Sequence, residues 1–384
     1  MHEVTNASSS KAWTAVDQVK YLRDRKGVVF GLVSEDEAVG FLADRNYFFK
    51  VKAFCKNYDK YFEKGDRKGR YVSLDFAYLV ELSRLDKHLR SIVLDLTLDV
   101  EHYLKVRINS SAMRNGADPY RLTEGFLERS SANVLSEQAR IVDSEAAAGV
   151  FHRVVELLAV RPGDSKEAAS RANDALRMLE SVTLGRNPDY IMESFASMGS
   201  SPYSKGLVSK YAEESVPYWC LMELMSFGSV IKLYRSCFAK GGLIDDAEEQ
   251  EKLREIKNLL RCSQVLRNAA AHNDCLLNGL SHHGRDGSRT GVRKKLIRDY
   301  GFDEASLADV GNVGIAMDLA AVLMCYDSVV PEGQTRLAAA EKLRSACERF
   351  SKRREWFSRN YHIDSFLKYA DVLFGFFSMR FENC

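Results

Sequence analysis

From residue 74 to residue 113 the chain reads LDFAYLVELSRLDKHLRSIVLDLTLDVEHYLKVRINSSAM, without one proline or glycine. Those two residues interrupt helices most strongly, and leucine recurs here at the three- and four-residue spacing of one helix face. The segment is too long for one ordinary globular helix. It reads as two helices or one long bent one, and either form needs other helices to cover its leucines. The remaining sequence points the same way. Six prolines in 384 residues is about a third of the usual ~5%, and 46% hydrophobic residues supply a core. The expected fold class is all-α.

Local signals agree. In SEDEAVGFLADRNYF, Ser34 and Glu37 have capping-box spacing and Ala38, Phe41 and Leu42 share a face. Residues 216 to 234, VPYWCLMELMSFGSVIKLY, form a dense apolar pattern with Pro217 near a helix start. In NVGIAMDLAAVLMCYDSVV, Asp318 breaks up an apolar run, so a buried helix is expected there rather than a membrane helix. Residues 130–200 differ in character, with AAAG, RPGDSKEAASRAND and MGSSPYSKG marking exposed loops between helices. These shifts divide the chain into an N-terminal helical part (1–129), a loop-rich helical insertion (130–200), a second core segment (201–280) and a basic loop with C-terminal helices (281–384).

Charge and cysteine narrow the function. The net charge of +2 excludes a generic polycation. Two local stretches are basic: 281–298 carries Arg285, Arg289, Arg293, Lys294, Lys295 and Arg298 against Asp286, and 350–360 interleaves Lys352, Arg353, Arg354 and Arg359 with Phe350, Trp356 and Phe357. Basic side chains neutralise phosphates and aromatics stack on bases, so both stretches are candidate RNA-binding segments; a solvated helix face is the other reading. The eight cysteines are scattered, with no CxxC pair and no clustered ligand set. No metal and no cofactor is expected, and the thiols are expected to be reduced. The polar start MHEVTNASSSK lacks the apolar core of a signal peptide, and no membrane span is evident, so a cytoplasmic protein is expected.

One helical stretch has an unusual polar edge. VLRNAAAHNDCLLN, residues 265 to 278, sets Arg267 and Asn268 before three alanines and His272, then continues with Asn273 and Asp274. Arginine offers a planar, permanently charged donor fork to phosphate, and histidine exchanges protons near neutral pH. Asn268 lies four residues before His272, on the same face. Glu101, in DVEHYLKVRI, sits with Lys105 on an otherwise apolar helix; it pairs with Arg267 or orients His272, or else forms a structural salt bridge.

Taken in order, several of these stretches resemble a known family. DQVKYLRDRKGVVF and DEAVGFLADRNYFFKVKAF, then LDKHLRSIVLDLTLDVEHYLKVRI, then VPYWCLMELMSFGSVIKLY with its Trp219, Glu223, Phe227 and Gly228 pattern, and finally LRNAAAHNDCLLN, resemble the Abi-like proteins of AbiD/AbiF type. These are bacterial abortive-infection proteins assigned to the HEPN class of helical ribonucleases. Two features depart from the family pattern: the segment 130–200 is long, and Asn273-Asp274 stands where bulkier or more basic residues often follow the histidine. The resemblance implies a HEPN-like bundle with an inserted helical segment and additional C-terminal helices. It implies a metal-independent endoribonuclease acting in phage defence, with Arg267, Asn268 and His272 as catalytic residues. Glu101, Glu223 and Asn273 would support them, although a buried structural hydrogen bond is the preferred role for Glu223, and Trp219 and Phe227 read as core.

Five residues advance a helix by about 140° beyond a full turn, so Arg267 and His272 do not share one face. With one Arg-x4-His in the sequence, a homodimer is expected to complete the site, the small Ala269, Ala270 and Ala271 allowing close helix approach. RNA is the expected partner, as substrate and as a structured noncoding regulator. A non-catalytic RNA-binding module and a helical sensor of a phage component are the alternatives.

Overall fold

The structure, a computed structural model, describes residues 12–62, 65–129, 206, 216–280, 287–311 and 313–383, the side chains of 287 and 288 aside. Arg285 and the segment 130–200 lie outside these residues. Among the described residues there is no sheet, only isolated bridges between Val29 and Asp75 and between Lys60 and Tyr71. The fold is all-α. No described helix is long and apolar enough to cross a membrane.

The helices are α1 (Ala15–Lys20), α2 (Glu35–Asp44), α3 (Phe48–Phe54), α4 (Phe76–Arg114), α5 (Tyr218–Glu223), α6 (Phe227–Phe238), α7 (Ala247–Ala271), α8 (Gly287–Tyr300), α9 (Gly314–Val329), α10 (Gln334–Ser351) and α11 (Tyr361–Glu382); residues 119–129 are also helical. The proline-free stretch at 74–113 is therefore one helix of 39 residues. Ser34 caps α2 through the expected box, its hydroxyl accepting from Glu37 N–H while the Glu37 carboxylate accepts from Ser34 N–H at 2.8 Å. The basic run expected as a loop is helical from Gly287 to Tyr300, because Val292 and Leu296, one turn apart, are fully buried and hold the segment against the protein despite two glycines. Pro217 stands at the N-cap of α5 as expected. Trp219 is 46% exposed rather than core: α5 is a short helix that turns Tyr218, Cys220, Leu221 and Met222 inward, leaving the indole edge-on to Tyr218. Phe227 is fully buried.

Two compact units divide the chain. The first comprises residues 1–103 and 255–384. Its core is built on α4, whose Leu79, Leu82, Leu85, Leu89, Val93 and Val100 are completely buried. Central α9 is buried on every side from Ala316 to Tyr326, and Asp318 is accommodated by a bidentate pair with Arg289 at 3.0 and 2.7 Å. Helices α10 and α11 pack against each other along their lengths, with Phe350 edge-on to Phe374. This hairpin is tied to α4 by Glu81, 1% exposed, which takes Arg349 at 2.6 Å and Arg353 at 3.3 Å.

The second unit, residues 104–254, is described at the end of α4, the helical stretch 119–129, and α5 to the start of α7. Buried Glu249 accepts from Arg107 at 2.6 Å and from the Tyr234 hydroxyl at 2.6 Å. Asp246 takes Ser111 at 2.6 Å and Arg114 at 2.9 Å. A carboxylate is costly to bury alone, so these partners make its position tolerable.

Seven cysteines fall among the described residues and all are free thiols. Burial pushes Cys55, Cys237 and Cys325 up to about 12.

Half-buried His88 brings a buried polar atom without a partner into the first unit, and from this a sensitivity to acid is expected. His88 on α4 sits near Phe350, with an Nε2 that is buried and has no hydrogen-bond partner. Burial, and then the Arg349 guanidinium, pull its imidazole below the ordinary value. Above the ordinary histidine range, about 6.5, both folded and unfolded chains hold it neutral. As pH falls through that range the unfolded chain takes up the proton first, so stability declines. Urea unfolding between pH 7.5 and 5.5 is expected to show a shallower acid-side decline for His88→Leu than for wild type; parallel curves would remove His88 as the cause.

Candidate functional site at the end of helix α7

Helix α7 ends at Ala271, and the way it ends positions every candidate around it. Within the first unit its inward face is Ile256, Leu259, Leu260, Ser263, Leu266 and Ala270, all buried at three- and four-residue spacing. Ala270 is 4% exposed within its own chain, Ala269 is half-buried and Ala271 exposed. Close helix approach between copies is thus not the role of Ala270; its small side chain fits the bundle's own interior, and a larger residue there would overpack it.

Past Ala271 the backbone makes a Schellman turn. Asn273 N–H donates to Ala270 O at 3.1 Å and Asp274 N–H to Ala269 O at 2.9 Å, with Asn273 at φ +60°. This is the left-handed conformation that glycine and asparagine tolerate best. The residues that stood out after the histidine are therefore the helix stop. His272 is the last residue before the reversal, and it is exposed.

The turn is gripped by side chains distant in sequence. Lys50 of α3, 5% exposed, donates from Nζ to Asn273 O at 2.8 Å and to Asn273 Oδ1 at 2.6 Å. Arg90 of α4 donates to Asp274 O at 3.2 Å and pairs with Asp86, whose other oxygen accepts from Leu277 N–H at 2.9 Å. Asn57 donates to Leu277 O at 2.7 Å and accepts from Leu280 N–H at 2.8 Å. Burial pulls both the Lys50 ammonium and the Arg90 guanidinium below their ordinary values, and for Lys50 the charge on Arg90 adds to this. Burial pushes the Cys275 thiol up, against the attraction of the same two cations. None of Lys50, Asn57, Asp86 and Arg90 was singled out from sequence. The signal for two of them was present, since Asp86 and Arg90 stand at i, i+4 on one helix.

Arg267 is half-buried and faces Glu101 of α4 across 3.9 Å, with Asn268 Oδ1 at 3.5 Å from its guanidinium. This contact fits two of the readings open for Glu101, a partner of Arg267 and a structural salt bridge. Arg267, Asn268 and Glu101 thus form one group, and His272 and Asn273 follow at the helix end. Glu223, in the second unit, is exposed rather than held by a buried hydrogen bond, because it is the last residue of short α5 and points away from its inward side.

The basic stretches fare differently. Arg289 is committed to Asp318, Arg293 lies 3.9 Å from Glu304, and Lys295 and Arg298 both pair with Asp299, just beyond the run as read from sequence. Arg353 meets Glu81 and covers the Trp356 ring at 4.8 Å, and Arg354 pairs with Asp364 at 3.2 Å. Phe350 and Phe357 are core. Lys294 and Lys352 are exposed.

Two substitutions at one position separate the turn from its clamp. Asn273→Val puts a β-branched residue at positive φ and is expected to cost about 1–2 kcal/mol or more. Asn273→Gly keeps the turn and the Lys50–carbonyl bond while losing the side-chain acceptor, and is expected to cost less. Chemical unfolding of both variants checks the order; equal losses would mean that backbone conformation is not the constraint.

No match was found among curated proteins or among solved structures. The Abi-like protein family pattern matches residues 40–278, a span that opens within α2 and closes in the clamped turn after His272. The chain belongs to the Abi-like protein family.

Proposed function

We propose that this Abi-like chain acts in phage defence by abortive infection, as a metal-independent endoribonuclease of the HEPN class. The observation that carries the reading is the arrangement at the end of α7: a half-buried Arg267 oriented by Glu101 and Asn268, followed by an exposed His272 on a helix terminus that the Lys50 and Arg90 clamp holds in place. Attack of an RNA 2′-hydroxyl on its adjacent phosphate forms a 2′-O–P bond and breaks the P–O5′ bond. One proton leaves the nucleophile, one reaches the departing 5′-oxygen, and negative charge grows on the phosphorane oxygens. Histidine suits the proton transfers and an arginine fork the growing charge, while Asn268 orients the imidazole or contacts the phosphate.

Five residues separate Arg267 from His272, about 7.5 Å of rise and 140° of rotation on a regular helix. A second copy across a two-fold axis brings two such pairs around one phosphate and supplies two histidines, one to accept and one to donate a proton. A structured noncoding RNA bound over the same groove would restrain the activity until infection.

Expression of wild type without its regulator is expected to arrest bacterial growth, and His272→Ala or Arg267→Ala to relieve the arrest while leaving the fold intact. Each is expected to slow RNA cleavage by roughly 100- to 1,000-fold. Arg267→Lys fails as well, since a point charge does not reproduce the bidentate fork. Equal toxicity of wild type and the folded variants defeats the catalytic reading. For the dimer, the informative substitution is at Val265, 53% exposed on α7. Val265→Asp is expected to leave the single chain folded and to reduce its sedimentation coefficient at micromolar concentration, whereas a monomeric wild type would sink the two-copy site.

A further inference from the structure

Between Arg45 and Arg70 the sequence holds nine Lys or Arg against three Asp or Glu, on a chain whose total net charge is +2. The same stretch, and Trp13 far ahead of it in sequence, expose large rings to an unusual degree: Phe62 is 86% exposed, Phe49 79%, Tyr47 58% and Trp13 55%. Single exposed apolar residues are ordinary, but a contiguous set is not. Around Trp13 and the start of α3 the rings cluster within the first unit. Trp13, Tyr21 and Phe48 lie within 6.3 Å of one another by ring centroids. Lys52 stands over Tyr21 and Phe48, Lys26 over Tyr21, and Lys60 over Tyr71, each within 6 Å. Tyr71 N–H donates to Lys26 O at 2.8 Å, which ties the ring under Lys60 to the segment whose Lys26 covers Tyr21.

The contrast with the other basic stretches is chemical. Arg289, Lys295, Arg353 and Arg354 have carboxylate partners. Lys52, Lys56, Lys60, Arg67 and Lys68 have no ion pair among the described residues. Cations spaced between outward rings match a ligand that carries regular negative charge and flat apolar faces, which is the chemistry of a single nucleic-acid strand. A protein partner would be expected to meet the rings with apolar side chains, and would leave so many cations without counter-charge.

The surface is also joined to the candidate catalytic histidine. Phe49 precedes Lys50 on α3, and Lys50 holds Asn273, the residue after His272. Tyr47 stands at the N-cap of the same helix that carries Phe49 and Lys50.

We infer that the aromatic and basic surface formed by Trp13, Tyr47, Phe49 and Phe62 with Lys52 and Lys60 binds single-stranded RNA and leads the strand to His272. The inference rests on the reading of this chain as a protein that acts on RNA, and adds a strand-binding surface that the Arg-x4-His motif does not contain. Stacking on an exposed ring contributes about tenfold in affinity per base, and each phosphate contact on a single strand contributes about 0.7 to the slope of log affinity against log salt.

The experiment uses the full-length His272→Ala chain, so that RNA is bound without being cut, and a fluorescein-labelled 15-nucleotide uridine RNA read by anisotropy. Phe49→Ala with Phe62→Ala is expected to weaken binding at least about tenfold, while Phe49→Trp with Phe62→Trp retains it. Lys52→Gln with Lys60→Gln lowers the salt slope by up to about 1.4. Circular dichroism establishes that each variant is folded. The inference is overturned if the parent chain does not bind this RNA, or if the alanine pair binds as tightly as the parent. It also falls if the tryptophan pair is as weak as the alanine pair, or if the alanine pair changes only the sedimentation of the protein. Failure of the ribonuclease reading shows separately, as wild type leaving the same RNA uncut while the anisotropy results stand.

Discussion

A fully buried carboxylate, Asp86, governs the part of this molecule where the candidate site lies. A carboxylate without water needs partners, and removing one from such a pair typically costs about 3–5 kcal/mol. Asp86 has two: Arg90 one turn along α4, and the backbone N–H of Leu277. Arg90 in turn reaches the carbonyl of Asp274, and Lys50 and Asn57 complete the hold on residues 273 to 280. Through these contacts the interior of α4 dictates where α7 stops and where the segment after His272 runs. The site is therefore placed by desolvated polar groups as much as by the leucines around it.

That origin explains why the site is divided into a firm part and an open part. Arg267 draws on Glu101 and Asn268 and is half-buried, so its guanidinium is oriented before any ligand arrives. His272 faces solvent at the helix end, with a backbone fixed by the Schellman turn but a ring free of the core. Such a pairing suits a site in which one group receives a charged oxygen and the other meets a ligand or partner copy from outside. The two-copy reading follows from the same division, since one helix end supplies one arginine and one outward histidine.

How much of this was legible depended on sequence distance. The helical character of the chain, the capping box at Ser34 and Glu37, the uninterrupted α4 and the burial of α9 all follow from residues within a few turns of one another, where propensity and periodicity act. The Arg-x4-His spacing was visible too, but only the resemblance to a family gave it a role. The clamp was not legible, because Lys50 and Asn273 are 223 residues apart and nothing in either neighbourhood announces the other. The basic stretches show a related limit. Charge counted along a run ignores the carboxylates that folding brings to it, such as Asp318 for Arg289 and Glu81 for Arg353. Ala270 and Trp219 show the same limit for apolar residues: small size did not tell an interface from a core, and an aromatic in an apolar pattern did not have to be inside.

The thiols have a consequence of another kind. Burial holds Cys55, Cys237 and Cys325 far toward the protonated thiol, and thiolate is the form that oxidants and electrophiles attack. These three sulfurs are therefore poor targets for peroxide and alkylating agents while the chain is folded. Reactivity at those sulfurs would register opening of the core, which makes these three cysteines internal timers of unfolding.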